Sequence, residues 1–263
     1  MNMPPQNTED TIAQCKTRSE ATMFLPPQQK ERRISTYKVR FKSVYISAIL
    51  FRKMLDDYPI VKKFIQGVLV EFQKIFGGNL VAIYVTGSLT THSYIEGLSD
   101  IDMIAVIHEK ASPLELENLK IWAKNLLKNE PLSSGLDVSM VQRKNVTFIE
   151  LEPEEALEFY NGEINYAKNA LGNSPIVWDQ ILQNGIILFG PEPKEIINTI
   201  PWEKIKNALK NEALTIQERV DLYFNETKFR YYVLTTLCRI MYTVSNKSYL
   251  PKKEALDWYL TRY

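Results

Sequence analysis

The stretch LVAIYVTGSLTTHSYIEGLSDIDMIAVI, Leu80 to Ile107, decides how the rest of the chain is read. Leu80 to Val85 is a short, nearly continuous apolar run, the pattern of a buried central strand. Thr86-Gly87-Ser88 breaks it with a turn. Ile101 to Ile107 is a second apolar strand, and two aspartates, Asp100 and Asp102, stand at its start. Strand periodicity puts both carboxylates on one face, a few ångströms apart.

Two carboxylates that close repel each other unless a cation sits between them. Hard, oxygen-seeking Mg2+ suits such a pair and also takes phosphate oxygens. Two such ions can hold the attacking and leaving oxygens of an in-line phosphoryl displacement. A glycine directly after the first strand lets backbone approach a phosphate without a Cβ in the way. If a helix begins there, its free N–H groups face the anion, and Ser88 adds a hydroxyl donor. The expectation is that Gly87 and Ser88 cradle a triphosphate while Asp100 and Asp102 hold its metal.

Working outward, Tyr58, Val61, Phe64, Ile65, Val68, Leu69, Phe72 and Ile75-Phe76 recur at helical spacing over about Asp56 to Phe76. Gly77-Gly78 ends that helix. Leu114 to Leu127 is helical in period, and Leu136 to Val141 alternates like a third strand. That strand carries Asp137 between two apolar residues. Beside the Asp100/Asp102 strand it would reach the same site, as a third metal ligand or as the general base that takes an acceptor hydroxyl proton. A bare Asp-x-Asp, or a Gly-Ser after a strand, is common, and the competing reading is a solvated acidic loop. The whole order of strand, Gly-Ser, Ser-Asp-Ile-Asp, strand and strand acid is what favours chemistry.

Beyond about Leu151 the pattern turns helical. Candidate helices are Glu154 to Tyr160, Val177 to Gln183, Trp202 to Leu209, Ala213 to Phe224 and Phe229 to Val244, with another starting at Pro251. Ile186 to Phe189 reads as a short extended piece, and Val44 to Phe51 as part of a strand or helix. The fold class expected is α/β (α+β). Residues 1–40 form a polar, proline-containing tail, 41–155 a domain with a mixed sheet, and 156–263 a helical bundle.

Composition narrows the setting. The 263 residues are 45% hydrophobic and 24% charged, the balance of a globular protein. A formal net charge of +1 offers no global field for nucleic acid or an anionic membrane. Two cysteines, Cys15 and Cys238, fit a reducing compartment and match no zinc spacing. No apolar run approaches a membrane span, and the first residues lack a signal-peptide core. A cytoplasmic monomer is expected.

With these motifs in hand, the sequence resembles the nucleotidyltransferases of the DNA polymerase β type, and more narrowly the streptomycin/spectinomycin (aminoglycoside 3''/9-) adenylyltransferases. Gly87-Ser88-Leu89 with Gly97-Leu98-Ser99-Asp100-Ile101-Asp102 is similar to the superfamily signature. Leu136-Asp137-Val138-Ser139 falls where the family has its strand acid, usually Glu. Leu157 to Glu163, Asn184 to Pro191, Leu234 to Thr243 and Pro251 to Trp258 resemble motifs of its second half, so the likeness spans about residues 55–260.

The resemblance implies transfer of AMP from ATP, with Mg2+, to a hydroxyl of an aminoglycoside-type antibiotic such as spectinomycin or streptomycin. It implies that Arg239 and Lys252 contact the ATP phosphates from the helical domain, as a guanidinium fork and a point charge can. Acidic residues of the cleft, Glu158 and Glu163, would attract a cationic acceptor. Ile164 stands where streptomycin-binding members carry Trp, and Phe229 near where they place an acid, which leaves spectinomycin or another hydroxyl compound more open. His92 stands where the family often has a small residue and reads as a loop histidine. The chain stops soon after Trp258, where relatives continue, so the helical domain is expected to be incomplete. Other readings are another small-molecule acceptor such as a lincosamide, a protein or RNA acceptor, or a non-catalytic nucleotide-binding module.

Overall fold

Apolar residues at helical spacing, with a proline in the first turn, build the first helix, α1 (Pro59–Phe76). It buries Val61, Phe64, Ile65, Val68, Phe72 and Phe76, and Gly77 ends it at φ 46°. The computed structural model describes residues 55–147, 154–220 and 227–263. The expected tail and the run Val44 to Phe51 lie outside them. Strand β1 (Leu80–Val85) follows, then a 3-10 turn over Gly87–Thr91 and strand β2 (Ile101–Ile107). Helix α2 (Pro113–Asn129) starts with a reciprocal cap, in which the Ser112 hydroxyl accepts from the Glu115 backbone and the Glu115 carboxylate accepts from the Ser112 backbone. Strand β3 (Leu136–Gln142) and the short helix α3 (Arg143–Thr147) come next.

The expected helix Glu154 to Tyr160 is instead strand β4 (Ala156–Tyr160), paired with β5 (Glu163–Ala167). The physical reason is the two-residue turn Asn161-Gly162, with φ of 50° and 81°. Asn-Gly accepts two successive positive φ angles, which a tight hairpin demands. Helix α4 (Pro175–Asn184) leads into β6 (Ile186–Phe189), the extended piece the sequence suggested. Trp202 to Leu209 and Ala213 onward are one helix, α5 (Trp202–Glu218). Lys210-Asn211-Glu212 holds no Gly or Pro to break it. Helices α6 (Thr227–Asn246) and α7 (Lys252–Arg262) complete the described chain.

The six strands form one sheet in the order β5-β4-β3-β2-β1-β6. Only β2 and β3 run parallel, and α2 is the crossover that parallel neighbours require. The sheet is therefore mixed and extends past residue 155, since three of its strands come from 156–189. Both faces are covered. Against one, α1 and α2 pack Phe72, Phe76 and Trp122 onto Val85, Met103, Val138 and Phe159. Against the other, Trp178, Ile181, Ile205, Leu209 and Ile240 pack on Tyr84, Ile104, Val106 and Val141. The Trp122 ring meets Phe72 edge-on at 5.3 Å, so truncating it to Ala would cost about 3–5 kcal/mol. This double burial explains the near-continuous apolar strands, and makes the half-buried acids within them conspicuous.

Candidate active site

The parallel register sets Asp102 of β2 directly beside Asp137 of β3. Period-two alternation then places Ile104 and Ser139 on the same face, the one covered by α4, α5 and α6. Asp100 lies just before β2 and is exposed, whereas Asp102 and Asp137 are half-buried. The Asp100 carboxylate reaches toward the start of β3, for a Cβ on Gly135 would lie 3.7 Å from its Oδ1.

The turn after β1 closes over these acids. Thr86 N–H donates to the Asp102 carbonyl at 3.0 Å, which ties the turn to β2. Gly87 follows at φ 70°, and a Cβ there would come within 2.9 Å of the Asp102 Cγ and overlap the carboxylate oxygen. Only glycine takes that backbone angle freely and leaves that space. Ser88 lies in the 3-10 turn, and His92 ends it, exposed, at φ 52°.

Electrostatics bind the site together across the fold. Burial, with the Asp100 charge, pushes the Asp102 carboxyl up to about 6 against the downward pull of Lys252 and Arg239. Burial likewise pushes Asp137 up to about 8, helped by the charges of Asp102, Glu158 and Asp100. Arg239 is half-buried on α6, and Lys252 is the first residue of α7. The Lys252 ammonium lies over the Tyr232 ring, 5.5 Å from its centroid. Burial and the Arg239 charge lower its pKa, and Asp100 and Asp102 oppose that. Two cations from the helices thus face the acids at the strand ends.

Four buried polar side-chain atoms lack a hydrogen-bond partner among the described residues: Ser88 Oγ, Asp137 Oδ1, Ser139 Oγ and Thr236 Oγ1. Three lie at the turn and strand β3, and Thr236 is one helical turn from Arg239. Orphaned buried polar groups are costly and rare; Ser88 and Asp137 are half-buried at the turn and beside Asp102, whereas Ser139 is fully buried against Gly172. Among the described residues, no group of three or more His, Cys, Asp or Glu could hold an ion unaided. Two carboxylates completed by phosphate oxygens, the arrangement Mg2+ commonly takes, is the donor set that fits.

The two acids singled out for an acceptor part company. Glu158 on β4 sits opposite Ser139, is half-buried, and acts on Asp137. Its Oε1 accepts the Leu171 N–H at 3.1 Å. Glu163 is exposed on the outer strand β5, at the turn end of the hairpin, with the Asn165 amide at 3.2 Å. It is not among the charges acting on Asp102 or Asp137, and the hairpin turn that carries it away is the one the helical reading missed. Sequence reading also passed over Glu212 of α5, a half-buried carboxylate raised by burial and lowered by Arg239. Nothing local in Asn211-Glu212-Ala213 announces that neighbour.

The chain is also similar to known proteins. Residues 195–263, which include Glu212, Arg239 and Lys252, match the family model described as aminoglycoside adenylyltransferase, C-terminal domain. Over 195 residues the chain is 24% identical to a spectinomycin 9-adenylyltransferase of Staphylococcus aureus, covering 70% of this chain and 72% of that one. The chain resembles the spectinomycin adenylyltransferases. A second such protein, from Campylobacter jejuni, is 23% identical over 206 residues, 72% of this chain and 74% of the relative. The fold matches that of the spectinomycin adenyltransferase AAD(9) from Enterococcus faecialis, solved with ATP and spectinomycin. The TM-score is 0.58 at 17% identity, over 73% of this chain and 79% of that one. Among the described residues no helix is long and apolar enough to cross a membrane.

Proposed function

We propose that this chain transfers AMP from ATP to a hydroxyl of a spectinomycin-type aminoglycoside and releases pyrophosphate. The observation that carries the reading is the setting of Asp102. It is paired in register with Asp137, closed over by Gly87, and acted on by both Arg239 and Lys252. The names and fold of the relatives support the same reaction.

Asp100 and Asp102 would hold Mg2+, which supplies positive charge to the α-phosphate and the leaving pyrophosphate. Gly87 and Ser88 receive the triphosphate against backbone and hydroxyl, and Arg239 and Lys252 neutralise its far oxygens. The acceptor oxygen attacks the α-phosphorus in line. The new O–P bond forms as the bond to the β-phosphate oxygen breaks, and pyrophosphate departs with that electron pair. Asp137 takes the hydroxyl proton. A carboxyl pushed up to about 8 is a strong base for a carboxylate, and it acts in the ionised form, which a cation bound beside it would favour. Positioning and charge supply most of the rate in such transfers. Glu158, beside Asp137, meets the cationic face of the acceptor. The cytoplasm, which supplies ATP and Mg2+, is the compartment that suits this reaction.

The test is incubation with ATP, Mg2+ and a panel of hydroxyl acceptors, reading AMP addition by mass spectrometry. AMP-spectinomycin from the native chain and none from Asp102→Asn is the expected result. AMP added instead to a lincosamide, a protein or RNA keeps the chemistry and overturns the acceptor. ATP bound with no product on any acceptor overturns the enzyme.

A further inference from the structure

The loop between α6 and α7 is held at two points before it delivers Lys252. After Asn246 the chain turns through Lys247 in left-handed backbone, φ 52°. The Lys247 ammonium lies 5.5 Å from the centroid of the Trp202 ring, on the first residue of α5. Two residues later the Tyr249 hydroxyl donates to Asp179 Oδ2 at 2.7 Å. These partners are 70 residues apart, and both are half-buried.

The Asp179 end is itself firmly seated. It lies on α4, whose Trp178 and Ile181 are buried against the sheet. The Trp178 Nε1–H donates to the Gly172 carbonyl at 2.7 Å. Asp179 is therefore referred to the same sheet that carries Asp102 and Asp137. Tyr249 stands three residues before Lys252 and close enough to Arg239 to feel its charge. Lys252 is exposed, with a flexible four-carbon stem. Where its ammonium stands depends on where the loop sets the first turn of α7.

We propose that Tyr249 is a positioning residue, whose hydrogen bond to Asp179 ties the α6–α7 loop to α4 so that Lys252 faces the phosphate-binding turn. This inference rests on the proposed function for the identity of the anion. Its experiment is a double-mutant cycle read on Mg-ATP binding by equilibrium dialysis without acceptor, and on the split between KM for ATP and kcat. Tyr249→Phe keeps the ring and removes the donor. It should weaken Mg-ATP binding roughly threefold to fivefold, with kcat within about twofold. Asp179→Asn keeps an acceptor oxygen and should lose less. In a Lys252→Ala background, Tyr249→Phe should add under about twofold, because its effect passes through that lysine.

Equal losses in both backgrounds, or a lowered unfolding temperature with Mg-ATP binding intact, would reduce the bond to a structural tie and overturn the proposal. If Tyr249→Phe does not fold, Asp179→Asn carries the same cycle. Lys252→Ala that leaves Mg-ATP binding unchanged would instead remove the phosphate role of Lys252, and with it part of the functional reading. Lys252→Ala that weakens binding while Tyr249→Phe does nothing overturns the positioning alone.

Discussion

The acids and the cations of this site are built in opposite ways. The acidic side is local and rigid. Gly87, Asp100, Asp102 and Asp137 come from one β–turn–β–α–β stretch, and backbone ladders fix their register. The basic side is gathered from segments far apart in the sequence. Arg239 and Lys252 sit on two helices far along the chain, and one of them is solvent-exposed. Each side also breaks a local rule. The Asp100 charge raises the pKa of Asp102, and both raise that of Asp137. Lys252 and Lys253 open α7, where the positive end of the helix disfavours them. Local conflicts of this kind are expected where function, rather than folding, chose the residue. The difference teaches a division of labour: strands set the geometry of the reacting centre, and helices supply charge that can adjust to the substrate.

The sharpest way to break that division is at the acids. Asp102→Asn should lower AMP transfer on the order of a thousandfold, since it removes a charge no neighbour replaces. Pyrophosphate release within tenfold of the native rate would place the chemistry elsewhere. Next is a pair of glycine variants. Gly87→Ala places a Cβ on the Asp102 carboxylate at φ 70°, whereas Gly97→Ala, at φ 77°, meets nothing within 4 Å. Both carry backbone strain of about 1–2 kcal/mol. Only Gly87→Ala should lose turnover, by roughly a hundredfold. Equal losses in the two would show that the turn contributes stiffness and no cradle.

The same contrast governs what could be read before any coordinates. The acidic side was legible because its meaning lies in short spacing: two acids two apart, a glycine after an apolar run, a third acid flanked by Leu136 and Val138. The first three strands and most helices were legible from apolar period. Glu154 to Tyr160 was misread because seven residues cannot separate the two periods, and the deciding signal, Asn161-Gly162, lay just outside the window. The merged helix α5 was misread because a polar stretch resembles a loop although nothing in it stops a helix. The surroundings of the cations were not legible at all. The approach of Glu212 to Arg239, or of Tyr249 to Asp179, is a tertiary contact between segments with no shared period.

Substitutions on the basic side should be milder and differently distributed. Arg239→Ala should raise KM for ATP roughly tenfold, and Lys252→Ala somewhat less, because an exposed ammonium is better screened. Added salt should narrow the gap between native protein and Lys252→Ala more than that between native and Arg239→Ala. A large fall in kcat with KM unchanged in either variant would move the cations from binding into the reacting centre and erase the contrast.

The smallest effect expected is on stability against pH, and it isolates the acidic side without substrate. The Asp137 carboxyl is pushed up to about 8 in the folded chain, against about 4 for an unfolded aspartate. Between those values the folded protein keeps a proton that the unfolded chain releases. Linkage then requires stability to fall as pH rises from about 4 to about 8, and to level off above. Asp102, pushed up to about 6, adds to the lower half of that window. Thermal unfolding in chelator at pH 5.5, 7 and 8.5 should show a decline of a few degrees. That decline should be smaller in Asp137→Asn, which has no proton to lose. Saturating Mg-ATP should flatten the native slope, because a cation beside these oxygens favours their charged form. The same binding should release protons near neutral pH, as calorimetry in buffers of different ionisation enthalpy would register. An Asp137→Asn slope equal to the native one would mean that this carboxyl is ionised throughout, and that its burial beside Asp102 is relieved by contacts other than a bound cation.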